Sequence, residues 1–124
     1  MRLGNDPLSQ LALTPLERRV LQTLSERLGS SGFLLRAQCE CLRVLNRSHS
    51  GVGFVTKLEV PGDVAGITEE EVSRIGAVYA DHPQMAEPAE FLVQLKSGRL
   101  ASIEAYCYEG IWPPDESLFR VRGP

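Results

Sequence analysis

The residues of this chain that could do chemistry are few and scattered. Cys39 and Cys41 stand in the triplet Cys-Glu-Cys, Cys107 lies far along the chain, and the only imidazoles are His49 and His82. Thiolates and imidazoles suit zinc, but a structural zinc site uses four donors, usually grouped in pairs with about two to four residues between them. Cys39 and Cys41 are separated by one residue, and nothing in the sequence brings His49 and His82 to them. No metal is expected, and no other cofactor. A thiol beside an imidazole could act as a covalent nucleophile, provided the two lie within hydrogen-bond reach and a third group orients the base. Asp81 adjoins His82, but adjacency in sequence does not supply that geometry. His49 sits in a polar turn and His82 precedes Pro83 at a strand end, which are ordinary structural places. The glycines of Ser-Gly-Val-Gly-Phe are not followed by the Gly-Lys-Ser/Thr of a phosphate loop, so no nucleotide site is expected. No catalytic residue is assigned.

The densest stretch is Phe91 to Pro114, FLVQLKSGRLASIEAYCYEGIWPP, which holds Glu104, Tyr106, Cys107, Tyr108 and the single tryptophan, Trp112. Side chains alternate along it, as in a strand with one covered face. Two turns are conceivable at Lys-Ser-Gly-Arg. A two-residue loop at Ser97 and Gly98 sets Phe91 opposite Glu104 and Val93 opposite Ser102, which mixes the faces. A three-residue loop with a glycine bulge pairs Leu95 with Arg99, Val93 with Ala101 and Phe91 with Ile103, which sorts them. Because a slip of one residue exchanges the faces, the bulged register is expected. It puts Phe91, Val93, Leu95, Ala101, Ile103, Ala105 and Cys107 on an apolar face, where the thiol is an inert hydrophobe. Glu90, Leu92, Gln94, Leu100, Ser102, Glu104, Tyr106 and Tyr108 take the other face, and Trp112 follows in an apolar corner.

The elements around this hairpin are readable. Thr14 as N-cap, Pro15 at the first helical position, Glu17 completing a capping box and Gly29 beyond the end delimit a helix. Leu16, Val20, Leu24 and Leu28 form its stripe, while Glu17, Arg18, Arg19, Gln22 and Glu26 are expected to face water. A short helix from about 33 to 39 follows, and Thr68 with Glu71 repeats the capping box before another. Strands are expected near 41–47, 51–60, 75–81, 89–96, 99–108 and 117–122, with Val52, Phe54, Leu58 and Val60 on one face of the second. The fold class is α+β, an N-terminal helix packed on a mainly antiparallel sheet of about five or six strands. Residues 1–13 are expected to be a flexible arm and 14–124 one domain.

Composition narrows the partners. Sixteen acidic residues against thirteen basic ones give a net charge of −3, and no cluster of Lys and Arg marks a nucleic-acid footprint. The odd cysteine count argues against a closed disulfide framework. No signal peptide or membrane span is expected, so the expected location is cytoplasmic and the partner neither nucleic acid nor membrane.

The motif order SGVGFVTKLEVP, IGAVYADHP, EFLVQLKSGRLASIEAYCYEGIWP and the closing LFRV resembles a group of small bacterial proteins of unknown function. These share a capped helix, a Gly-Val-Gly-Phe strand and a Gly-Arg-Leu…Glu-x-Tyr-x-Tyr hairpin followed by Trp-Pro, which match residues 14 to 121. The resemblance carries no catalytic signature. Cys39, Cys41 and Cys107 depart from it, so a thiol role would be peculiar to this chain. Small acidic α+β proteins of this kind look similar to immunity proteins that neutralise toxins. The first functional expectation is therefore a non-catalytic protein-binding module, immunity or antitoxin-like, touching its partner through Glu104, Tyr106, Tyr108, Trp112, Asp81 and His82. The alternative is a small enzyme or ligand-binding protein with a pocket near Asp81, His82, Glu104 and Trp112.

Overall fold

The computed structural model describes residues 11–124. The predicted arm falls mostly on residues 1–10, outside the described part. Its end packs on the domain, since Leu13 is buried and the Ala12 carbonyl accepts a hydrogen bond from Arg47.

Helix α1 (Pro15–Arg27) begins where the capping box places it: Thr14 Oγ1 accepts the Glu17 amide at 3.1 Å and Glu17 Oε1 accepts the Thr14 amide at 2.8 Å. A single 3₁₀ turn, Gly29–Ser31, leads to helix α2 (Gly32–Cys41), which is longer than expected and takes in Cys41. The close crossing of the two helices needs a glycine. A Cβ on Gly32 would sit 2.1 Å from the Ser25 carbonyl oxygen.

Six strands follow: β1 (Arg43–His49), β2 (Gly53–Glu59), β3 (Val78–Asp81), β4 (Ala89–Lys96), β5 (Arg99–Tyr106) and β6 (Arg120–Val121). They form one antiparallel sheet in the order β1-β2-β5-β4-β3-β6. Helix α3 (Glu69–Val72), with its own capping box at Thr68, lies between β2 and β3. The fold is α+β, with the N-terminal helix on a six-stranded antiparallel sheet. No helix among the described residues is long and apolar enough to cross a membrane.

The β4–β5 register corrects the sequence reading. The turn is the two-residue loop at Ser97 and Gly98, with φ of 53° and 76°, and Lys96 pairs with Arg99. Positive φ at both positions is the type I′ hairpin, whose twist matches that of the strands. The faces still sort, because Ala101 bulges out between the pairs Leu95–Leu100 and Gln94–Ser102. Beyond the bulge Val93 pairs with Ile103 and Phe91 with Ala105, two residues away from the expected partners. A shift of two preserves the face, so Phe91, Val93, Ile103, Ala105 and Cys107 are buried as expected, whereas Leu100 rather than Ala101 joins them. What selects the short loop is long-range packing. The Gly98 carbonyl accepts hydrogen bonds from the Ile67 amide at 2.9 Å and from Gln38 Nε2 at 3.0 Å.

One face of the sheet carries the core: Val44, Phe54, Thr56, Leu58, Val78, Ala80, Ala89, Phe91, Val93, Ile103 and Ala105 are buried beneath Leu16, Val20, Leu21 and Leu24 of α1. Val52, expected on this face, is 45% exposed in the β1–β2 turn. Glu17, expected in water, is fully buried. Its carboxylate takes Arg47 Nη2 at 2.6 Å, Arg47 Nε at 3.1 Å and the Thr56 hydroxyl at 2.6 Å, so it joins α1 to β1 and β2. A bulge at Leu45 turns Arg47 inward to meet it.

Candidate functional site

On the opposite face of the sheet the paired residues are half-buried or exposed, save Gly53 and Ser102, which are buried. The pairings Tyr79–Glu90 and Glu90–Tyr106 form one rung across β3, β4 and β5. Leu92, Glu104 and Val55 form the next, and Gln94, Ser102 and Lys57 the one after. Tyr79, Glu90, Tyr106, Leu92, Glu104 and Val55 are half-buried by one another, and Lys57 and Gln94 are exposed. Tyr108, just past β5, is 55% exposed.

Glu90 is the hub. Its Oε1 accepts the Tyr106 hydroxyl at 2.7 Å and also the Tyr108 hydroxyl, and the two rings meet edge to face with centroids 5.5 Å apart. Both phenols are held above the usual tyrosine pKa, chiefly because a carboxylate accepting their protons opposes ionisation. Their protons are thus directed inward to Glu90, and the ring surfaces are what remains for a visitor.

The other expected site residues go elsewhere. Asp81 is exposed near the β6 edge and bound in a fork by Arg122, at 2.8 and 2.9 Å, which holds its carboxyl below the ordinary range. His82 is 4% exposed and cannot face a partner. Its Nδ1 accepts the Gln84 amide at 3.1 Å, its Nε2–H donates to the Asp115 carbonyl at 2.8 Å, and its ring lies against Phe119. This is a structural histidine with both nitrogens engaged. Trp112 is on the core side, wedged among Phe54, Phe91 and Phe119 with centroids 5.0 to 6.0 Å away, and its Nε1–H donates to Glu116 at 2.8 Å. Asp81, Glu104, Tyr106 and Tyr108 therefore share the uncovered side of the sheet, while His82 and Trp112 serve the core.

The thiols make no centre. Cys107 is buried, Cys41 is exposed, and burial pushes the Cys39 thiol up to about 11, with Arg18 opposing the shift. No group of three or more His, Cys, Asp or Glu side chains is placed to hold a metal among the described residues. A groove of about 470 Å³ runs between α1 and α2, with Arg18, Glu26, Arg36 and Cys39 along it. A cleft of about 440 Å³ opens at the Trp-Pro-Pro corner beside His49 and Glu116. Neither is lined by Asp81, His82, Glu104 or Cys107.

Two residues at the heart of the surface escaped the sequence reading, Glu90 as a hub and Tyr79. In the register first expected, Glu90 stands opposite Glu104; in the observed one it stands opposite Tyr106. No protein-family model matches the chain, and no curated protein or solved structure matches it either. The resemblance in motif order thus transfers no residue role, and the surface rests on its own geometry.

Proposed function

We propose that this chain is a non-catalytic protein-binding module, of the immunity or antitoxin kind that neutralises a partner, and that the uncovered sheet face is its contact surface. The observation that carries the reading is the arrangement of Tyr79, Tyr106 and Tyr108 around Glu90, flanked by Leu92 and Val55, on a sheet backed by a packed core. Tyrosines bury much area at low entropic cost and are enriched where binding energy concentrates. Strands hold Tyr79 and Tyr106, and the hydrogen bond to Glu90 holds Tyr108, before the partner arrives, which lowers the ordering cost of association.

The test is a pair of variants, Tyr106→Ala and Tyr108→Ala. Each should melt close to the parent, because neither ring is in the core, while at least one weakens partner binding by about 2 kcal/mol or more, roughly thirtyfold in Kd. A variant that instead loses about 3–5 kcal/mol of stability would show the ring acting as core and remove the reading's main support.

A ligand-binding reading draws on a different place, the cleft beside His49, Trp112 and Glu116. It calls for a small molecule that quenches Trp112 fluorescence on binding. Unchanged fluorescence across a library of polar metabolites would count against it.

A further inference from the structure

Hydrogen bonding on the uncovered face is one-sided. Tyr106 and Tyr108 spend their hydroxyl protons on Glu90 Oε1, which leaves Glu90 Oε2 without a described partner. Glu104 accepts no hydrogen bond from a described residue. Of the acidic residues on this side, Asp81 is matched by Arg122 and Glu59 by Arg43, but neither Glu90 nor Glu104 has a cation within 4.0 Å among the described residues. Lys57 stands opposite Ser102, one rung from Glu104, and forms no ion pair with it. Antiparallel pairing also brings the loops before β4 and after β5 to the Glu90 end of the sheet, and each adds an exposed carboxylate, Glu87 and Glu109. On the far side of Tyr79 the β6 edge brings Arg122, which is taken up by Asp81, and Arg120, which stands opposite Asp81. Around Glu90 itself the groups are acceptors and rings, and the four carboxylates of Glu87, Glu90, Glu104 and Glu109 outnumber the cations left over among the described residues, Lys57 and Arg120, so the region is net negative.

We propose, building on the binding-module reading, that the partner is a basic protein that lays an arginine-bearing segment on this face. A guanidinium supplies what the surface lacks. It carries five N–H donors in a planar fork that fits carboxylates, and the same plane stacks on an aromatic ring. Held between Glu90 Oε2 and the Glu104 carboxylate, it would lie against the Tyr106–Tyr108 pair, with neighbouring aliphatic side chains on Leu92 and Val55. A lysine ammonium has the charge but neither the fork nor the flat face, so arginine is the expected residue.

The experiment titrates the isotope-labelled full chain with short capped peptides in which arginines alternate with leucines, and with lysine and citrulline counterparts. The arginine peptide should shift the amide resonances of Glu90, Leu92, Glu104 and Tyr106; the lysine peptide should bind more weakly and the citrulline peptide should leave them in place. Glu90→Gln and Glu104→Gln should each weaken the arginine peptide up to about fivefold, the upper range for one exposed ion pair. Added salt should weaken it further. Equal binding by the lysine or citrulline peptide, indifference to both Gln variants, or no shift at millimolar arginine peptide overturns the proposal. The two levels fail separately. If the natural partner is lost with Tyr106→Ala or Tyr108→Ala but bound with the parent's affinity by both Gln variants, the face is the contact surface and the basic partner is wrong; if the tyrosine variants bind the partner as the parent does, the surface reading itself falls.

Discussion

Replacing Arg47 by Met should be among the most damaging single changes in this protein, although Arg47 sits on an edge strand. Glu17 is completely buried, and Arg47 is nearly so, with side-chain exposures of 0% and 14%. Removing the guanidinium takes away both hydrogen bonds to the carboxylate and those to Thr56 Oγ1 and the Ala12 carbonyl. The Thr14 amide and the Thr56 hydroxyl remain, but the negative charge is left in the interior without a counter-ion. Breaking a buried pair from one side costs about 3–5 kcal/mol. The partial exposure of Arg47 lets water reach the gap, which favours the lower end, about 3 kcal/mol. Against a total of roughly 5–15 kcal/mol for a domain, that is a large share. Urea denaturation should show a lower midpoint with an unchanged slope. The double variant Glu17→Gln with Arg47→Met removes the stranded charge and keeps an acceptor for the Thr14 amide, so it should be more stable than Arg47→Met alone by about 1–2 kcal/mol. An Arg47→Met protein within about 1 kcal/mol of the parent, or a double variant below the single one, would refute the claim that this pair locks helix to sheet.

Two further outcomes follow from titratable groups. In an ultraviolet titration Tyr106 and Tyr108 should ionise above the ordinary tyrosine range, and Glu90→Gln should bring them down toward it. Because the folded values are raised, the stabilising effect of these contacts is whole below the unfolded tyrosine pKa of about 10 and is lost as pH climbs through the folded values. At about pH 8 a thiol reagent should modify exposed Cys41 quickly and Cys39 and Cys107 slowly, with all three reacting at one rate in denaturant. Labelling of Cys39 as fast as that of Cys41 would contradict the raised thiol pKa that its partial burial produces.

Much of the fold was legible because it is written locally. Thr14, Pro15 and Glu17 set the start of α1, Thr68 and Glu71 that of α3, and the alternation through β4 and β5 separated the buried from the open side. The failures came where distant contacts decide. A type I′ turn at Ser97 and Gly98 looked wrong for the faces, because the bulge at Ala101 that reconciles them leaves no mark in the alternation, and the groups that hold the turn, Ile67 and Gln38, come from other elements. Glu17 was readable in part. It shares a stripe with Leu21, Leu24 and Leu28, but its buried counter-ion depends on a bulge at Leu45 that nothing local announces. The open face inherited the register error: Glu90 is read on that face from the alternation, but opposite Glu104 rather than Tyr106, so its role as acceptor for the two tyrosine hydroxyls does not show in the sequence. Trp112 and His82, both expected at the partner surface, are turned to the core side by the fold, each with an aromatic contact and a hydrogen bond.

The most direct test of the account is the footprint of a captured partner on the isotope-labelled chain. The expected footprint covers Tyr79, Glu90, Leu92, Glu104, Tyr106 and Tyr108 and leaves the exposed helix-side residues Phe33 and Leu118 unchanged. A footprint centred on α1 and α2, or on the cleft at His49 and Glu116, with the sheet residues undisturbed, would contradict it.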